Sequence, residues 1–258
     1  MTPPSPGRVQ TAVALPIARI RLAHSPLNVL DLPTTRELHE VLLKLEARPD
    51  ISVILLEGDA RAFSAGVDIK AHLPEQIRDM LTSFHAVIRA IVGSRKVTVA
   101  AVRGACLGGG AELASVCDMV YTADDATWGF PEIKLGCYPP VAAVALPALV
   151  GQKRAAELIL TGRQISGDEA VAMGLANRSA RAEQLEDVVQ QTLEELRQMS
   201  PTALAHAKKA IYAWDAIHFD KGLARAEKIY LEELVSTEDA REGIIAFLEK
   251  RRPEWTRK

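Results

Sequence analysis

Two carboxylates and two glycine-containing loops are the residues here most able to do chemistry. Glu112 stands directly behind Gly108-Gly109-Gly110, in the first turn of the helix those glycines open. Glu132 follows Gly129-Phe130-Pro131 within an otherwise apolar, loop-like stretch. Each has a plain reading by itself. An acid at a helix N-terminus is stabilised by the helix dipole, and a carboxylate before Ile133 can be a surface group. Brought to one site, the pair would suit acid–base work, one taking a proton from water while the other delivers a proton to carbon.

The loops would supply the complement. The first is Ala62-Phe63-Ser64-Ala65-Gly66-Val67-Asp68-Ile69-Lys70, and the second runs from Arg103 through the three glycines to Leu113. Each follows an apolar strand-like run. Glycines there let backbone N–H groups approach a ligand closely, and N–H groups at a helix start are unpaired and carry partial positive charge. One N–H from each loop could grip a single carbonyl oxygen and favour an enolate on a thioester. Taken alone, a run of glycines is equally a tight helix–strand contact. It is not a Walker A loop, because no Gly-Lys-Ser/Thr follows, and it is not a strict GxGxxG.

These loops need rigid elements behind them. Val9 to Val13 and Ile17 to Leu22 read as strands with a turn near Pro16. Thr34 and Thr35 precede a helical pattern (Leu38, Val41, Leu42, Leu45) that ends before Pro49. ISVILL (51–56) and Val97 to Val102 are near-continuous apolar runs, as buried strands require. Between them Ile77, Met80, Leu81, Phe84, Val87, Ile88 and Ile91 recur at helical spacing. Met119 to Tyr121 reads as a short strand. Helices follow at Pro140 to Leu149, Lys153 to Leu160 and Asp168 to Met173, with Gly174 stopping the last before a strand at Leu175 to Asn177. From about residue 183 the chain reads as helix only, with breaks at Pro201, Asp220 and Thr237. The expected fold class is α/β, with residues 1–195 forming the core and 196–258 a helical C-terminal region.

Composition narrows the function classes. The 258 residues are 48% hydrophobic, enough for a sizeable core. The formal net charge of −2 has no acidic or basic block, so neither nucleic acid nor a membrane surface is an expected partner. The only basic run is Lys250-Arg251-Arg252. Cys106, Cys117 and Cys137 lack the spacing of a disulfide framework and read as reduced thiols. The histidines form no metal-ligand pattern, so no metal is expected. MTPPSPGRVQ contains no apolar leader, and a cytoplasmic protein is expected.

The motifs carry a resemblance. RAFSAGVDIK, then VAAVRGACLGGGAELASVCDMVYTADDATWGFPEIKLG, then EGIIAFLEKRRPEW resemble successive motifs of the enoyl-CoA hydratase (crotonase) superfamily, and the likeness covers nearly the whole chain. It implies a superhelix of repeated ββα units with an α-helical C-terminal part. It also implies oxyanion donors at the N–H groups of Val67 and Gly109, and an acid–base pair of Glu112 and Glu132. Ala65, Val67 and Ile69 match the loop that runs along the CoA adenine. Phe247 and Lys250 match a C-terminal helix lying against the CoA site, usually that of a neighbouring subunit. The implied partner is an acyl-CoA thioester, with no cofactor beyond the CoA of the substrate. The implied assembly is a homotrimer or a dimer of trimers, with 196–258 as the trimerisation region.

The chain departs from ordinary enoyl-CoA hydratases after the second glutamate. Tyr138-Pro139-Pro140-Val141-Ala142 stands where the family has a Gly-rich stretch, so Pro140 offers no N–H to an attacking water. Phe130 replaces a common polar residue and is expected to make the pocket wall beside Glu132 apolar. Three segments are most similar to cyclohexa-1,5-diene-1-carbonyl-CoA hydratases of anaerobic aromatic degradation: 71–76, then 132–136 with 140–142, and 227–234. The expected reaction is therefore water addition to a conjugated acyl-CoA. Alternatives on the same scaffold are a general enoyl-CoA hydratase or an enoyl-CoA isomerase or ring hydrolase, although isomerases often keep only the second glutamate. A non-catalytic CoA-ester or RNA-binding scaffold fits the intact glutamates and near-neutral charge poorly. A serine peptidase fits poorly too, since Ser64 lacks a GxSxG context.

Overall fold

The computed structural model describes residues 7–212 and 215–255. The chain begins with β1 (Val9–Ala14) and β2 (Ile17–Leu22), followed by α1 (Leu32–Glu46). Asp31 caps α1, its Oδ1 accepting from the Thr34 N–H at 3.0 Å. The helix thus starts before the two threonines expected to precede it, and Thr34 and Thr35 lie buried in its first turn.

Three ββα units come next. β3 (Val53–Glu57), β4 (Ala62–Ser64) and α2 (Ile77–Val92) form the first. β5 (Val97–Val102), β6 (Ala105–Leu107) and α3 (Gly109–Ser115) form the second. β7 (Met119–Ala123), β8 (Thr127–Gly129) and α4 (Pro140–Val150) form the third. Each unit gives its first strand to one sheet and its second strand to another. The larger sheet has the order β1-β2-β3-β5-β7-β10, and the smaller β4-β6-β8-β9. Every residue of β3 and β5 is buried, which explains sequences that are apolar but for Glu57 and Thr98. The expected α/β superhelix of repeated units is the fold observed.

The chain continues through α5 (Gln152–Thr161), β9 (Gln164–Ser166), α6 (Gly167–Met173) and β10 (Arg178–Ala180). The strand expected at Leu175 to Asn177 lies further on. The N–H groups of Leu175 and Ala176 both turn back to the Ala170 carbonyl and cap α6, so pairing with β7 as a strand starts only at Arg178.

The helical C-terminal part comprises α7 (Leu185–Arg197), α8 (Pro201–Ile211), α9 (Asp215–Lys228) and α10 (Glu238–Leu248), with a π-helical turn at Ile229–Leu234. Ser200 and Thr237 cap α8 and α10, so the breaks at Pro201 and Thr237 stand. The break expected at Asp220 does not, because α9 runs through it. α10 packs against the chain's own turns at Ile69–His72 and Pro131–Leu135. A Cβ built on Gly243 would stand 2.3 Å from the Leu135 carbonyl oxygen, a contact only glycine permits. Among the described residues no helix is long and apolar enough to cross a membrane.

Candidate active site

The second glycine loop shows why its residue types are needed. Gly108 caps α3 at φ +50°, in the left-handed region, and donates its N–H to the Gly129 carbonyl at 2.9 Å. That bond ties the start of α3 to the chain leading into the Pro131–Leu135 turn, which carries Glu132. A Cβ on Gly108 would stand 2.6 Å from Glu132 Oε1. Gly109 is the first residue of α3, so its N–H is one of the helix's unpaired donors. A Cβ there would stand 2.6 Å from Val67 Cγ2 and 3.4 Å from the Val67 nitrogen.

The first loop is pinned from behind. The Ser64 hydroxyl donates to the Asn28 carbonyl at 2.8 Å and accepts from the Gly66 N–H at 3.1 Å, a structural role with no nucleophile in it. Gly66, at φ +99°, then turns the chain so that the Val67 and Gly109 nitrogens come together. The two loops therefore assemble a paired-donor site on the wall of one cavity.

That cavity, of about 80 Å³, is lined by Ala65, Val67, Ile69, Gly109, Glu112, Glu132 and Pro140, among others. Both glutamates are buried, at 3% and 8% exposure. Glu112 Oε1 accepts from the Ala142 N–H at 2.9 Å, with the Val141 N–H also contributing at the start of α4. Burial nonetheless pushes Glu112 up to about 7. Glu132 is pushed well above the usual carboxylate range, first by burial and then by the charge of Glu112. Its Oε2 has no hydrogen-bond partner among the described residues. Two interacting carboxylates held out of water titrate as a pair, each disfavouring the anion of the other.

One expected substrate contact falls elsewhere. Phe130 is wholly buried in the core and does not face the cavity. The backbone turns at Phe130 into the Pro131–Leu135 segment, and Pro131 forms the wall beside Glu132. Phe247 is 52% exposed, and Lys250 lies exposed past the end of α10. Neither lines this chain's own cavity, and the contact expected of them is with the site of a neighbouring subunit.

Other cavity residues were not singled out from sequence. His85 on α2 and Tyr230 in the π-helical turn both line it, fully buried. Tyr230 stacks on Tyr138 with ring centroids 5.3 Å apart, and the Tyr138 hydroxyl donates to the Ala226 carbonyl at 2.6 Å. The signal available was the π-helical turn, a device common at functional sites, but sequence periodicity does not reveal it.

Two sheets wound from ββα units bring the glycine loops and two buried carboxylates to one cavity, an arrangement suited to acid–base chemistry. Comparison with known proteins agrees. A family model described as enoyl-CoA hydratase/isomerase matches residues 14–258, and the chain belongs to that family. It is 35% identical to the cyclohexa-1,5-dienecarbonyl-CoA hydratase of Thauera aromatica, over 93% of this chain and 92% of that protein. It is 37% identical to the protein named probable enoyl-CoA hydratase in Mycobacterium bovis, over 89% and 90%. The crystal structure of an enoyl-CoA hydratase from Mycobacterium avium subsp. paratuberculosis superposes with TM-score 0.88 at 25% identity, over 98% of this chain and all of that one. This chain is thus an enzyme, an enoyl-CoA hydratase-like lyase.

Proposed function

We propose that the enzyme adds water across a conjugated diene in a cyclic acyl-CoA thioester, with cyclohexa-1,5-diene-1-carbonyl-CoA as its substrate. The observation that carries the reaction type is the buried glutamate pair opening on the cavity that holds the Val67 and Gly109 donors. The thioester oxygen sits between those N–H groups. Glu112, whose anion is supported by the N–H groups of α4, takes a proton from water. The water oxygen bonds to the carbon β to the thioester, and the displaced electron pair is held as a dienolate by the two donors. Protonation at the far end of the former diene completes a 1,4-addition. Glu132, whose surroundings disfavour the anion, is the second member of the acid–base pair.

The substrate rests on two supports: the likeness to the Thauera aromatica enzyme, and the start of α4. Pro139 and Pro140 have no N–H, and those of Val141 and Ala142 are turned to Glu112, so α4 keeps no free donor there for a water. CoA enters as part of the substrate, with no separate cofactor, and the assembly is a homotrimer or a dimer of trimers. Comparing kcat/KM for cyclohexa-1,5-diene-1-carbonyl-CoA and crotonyl-CoA tests the substrate. The cyclic diene should be hydrated far faster. A preference for the linear ester, even a small one, leaves a general enoyl-CoA hydratase.

A further inference from the structure

One buried group at the cavity has no role in the scheme above. His85 lies on α2, fully buried, and lines the cavity. Its Nδ1 is 2.6 Å from Glu227 Oε1 on α9, and that oxygen also accepts from Arg89 Nη2 at 2.9 Å. The His85 bond, followed by that from Arg89, holds the Glu227 carboxyl below its usual range, so the imidazole is tethered to an anion. Its other nitrogen, Nε2, is buried without a hydrogen-bond partner among the described residues. An unpaired polar atom in a protein interior is costly and calls for an explanation, a catalytic role among them. A carboxylate that accepts from Nδ1 leaves Nε2 for proton transfer, and fixes the ring for it.

The wall matters as much as the residue. Phe84, beside His85, has its ring tip 3.3 Å from where a Cβ on Gly109 would stand, so this stretch of α2 borders the paired donors. The glutamates come from α3 and the Pro131–Leu135 turn. In a 1,4-addition to a six-membered ring, the carbon that takes hydroxyl and the carbon that takes the proton stand on opposite edges. One carboxylate pair on one side serves the first carbon more directly than the second.

We infer that His85, oriented by Glu227, is a third proton-transfer residue, donating from Nε2 to the remote carbon of the cyclic dienolate. This deepens the proposed hydration reading and rests on it. A proton passes from water to the glutamate pair as the C–O bond forms. The dienolate electrons then form a C–H bond at the remote carbon as the Nε2–H bond of the imidazolium form breaks, leaving neutral His85 with its remaining proton on Nδ1, facing Glu227. The proton left on the glutamate returns to Nε2 through solvent after product leaves. Glu227 acts through His85 and is a positioning residue.

The test uses the full-length enzyme with His85→Gln and Glu227→Gln, assayed in D2O on the cyclic dienoyl-CoA and on crotonyl-CoA. His85→Gln should lower kcat on the cyclic diene by on the order of 10²-fold with KM little changed. Its residual product should carry deuterium next to the thioester instead of at the remote carbon. Crotonyl-CoA hydration, which protonates only the carbon next to the thioester, should change less than about threefold. Glu227→Gln should show the same selectivity with a smaller loss, about tenfold. Equal losses on both substrates, or an unchanged deuterium position, overturn the inference. A wild-type enzyme inactive on the cyclic diene overturns the substrate reading itself, and His85 as remote donor falls with it. Wild-type activity on the diene that survives intact in His85→Gln overturns only the role of His85.

Discussion

The backbone N–H of Ala142 lies 2.9 Å from Oε1 of Glu112, so the first turn of α4 binds the buried carboxylate of α3. An orphan helix-start donor is thereby satisfied by a group that needs stabilising as an anion. The two prolines before it, at the cap and first position of α4, start the helix without adding donors. Desolvation still outweighs these bonds, and Glu112 rests at about 7.

That position has a consequence for stability. The ordinary value for the carboxyl is 4.5, and the folded value is about 7. Between the two, the folded protein binds more protons than the unfolded one, so this group's contribution is fully present below pH 4.5 and is lost as pH rises through 7. Glu112→Gln keeps the acceptor for Ala142 and removes the buried charge. Its Tm should match wild type near pH 5 and exceed it at pH 8. Equal melting curves at pH 8 contradict the burial argument.

Gly108 offers a backbone test. Gly108→Ala places a methyl group at φ +50°, 2.6 Å from Glu132 Oε1. The atom it meets is the end of a side chain, so the fold should persist while Glu132 is displaced. Activity should fall on the order of 10²-fold or more, with circular dichroism unchanged and Tm lowered by a few degrees. Full activity in this variant would mean that Glu132 does not work from its observed position.

The exposed end of α10 bears on assembly. Lys250 belongs to the only basic run in the sequence, and Phe247 beside it is 52% exposed. In the trimer proposed, both would approach the CoA of a neighbouring subunit. Lys250→Ala should raise KM for acyl-CoA esters with kcat nearly unchanged, because the phosphates are remote from the chemistry. Light scattering should give a trimer or a dimer of trimers. A monomer, or an unchanged KM, removes Lys250 from the site.

The long buried strands and the glycine loops were legible because burial on both faces writes itself as ISVILL and VTVAAV. The strands of the smaller sheet were not. β4, β6 and β8 are three residues each, too short for any period, and exist only through pairing across units. Val67, Gly109, Glu112 and Glu132, expected from the glycine loops and the family resemblance, line one cavity. Phe130 was misplaced because adjacency to Glu132 in sequence says nothing about which way the turn points its ring. His85 was passed over because it sits in the buried stripe of α2 between Phe84 and Val87, where helical spacing reads as core. Glu227 and Tyr230 lie in a segment noted only for its likeness to relatives. Their value depends on α9 and the π-helical turn folding back over α2 and the catalytic turn.

The central claim is that Glu112 and Glu132 together move the protons of hydration. The most direct measurement is turnover of the acyl-CoA substrate by Glu112→Gln and Glu132→Gln, with substrate affinity measured alongside. Each exchange preserves shape and removes proton transfer. Each should lower kcat on the order of 10²–10⁴-fold while leaving the affinity for CoA ester largely intact. Wild-type turnover in either variant would contradict the paired mechanism, and in Glu112→Gln it would point instead to an isomerase working through Glu132 alone.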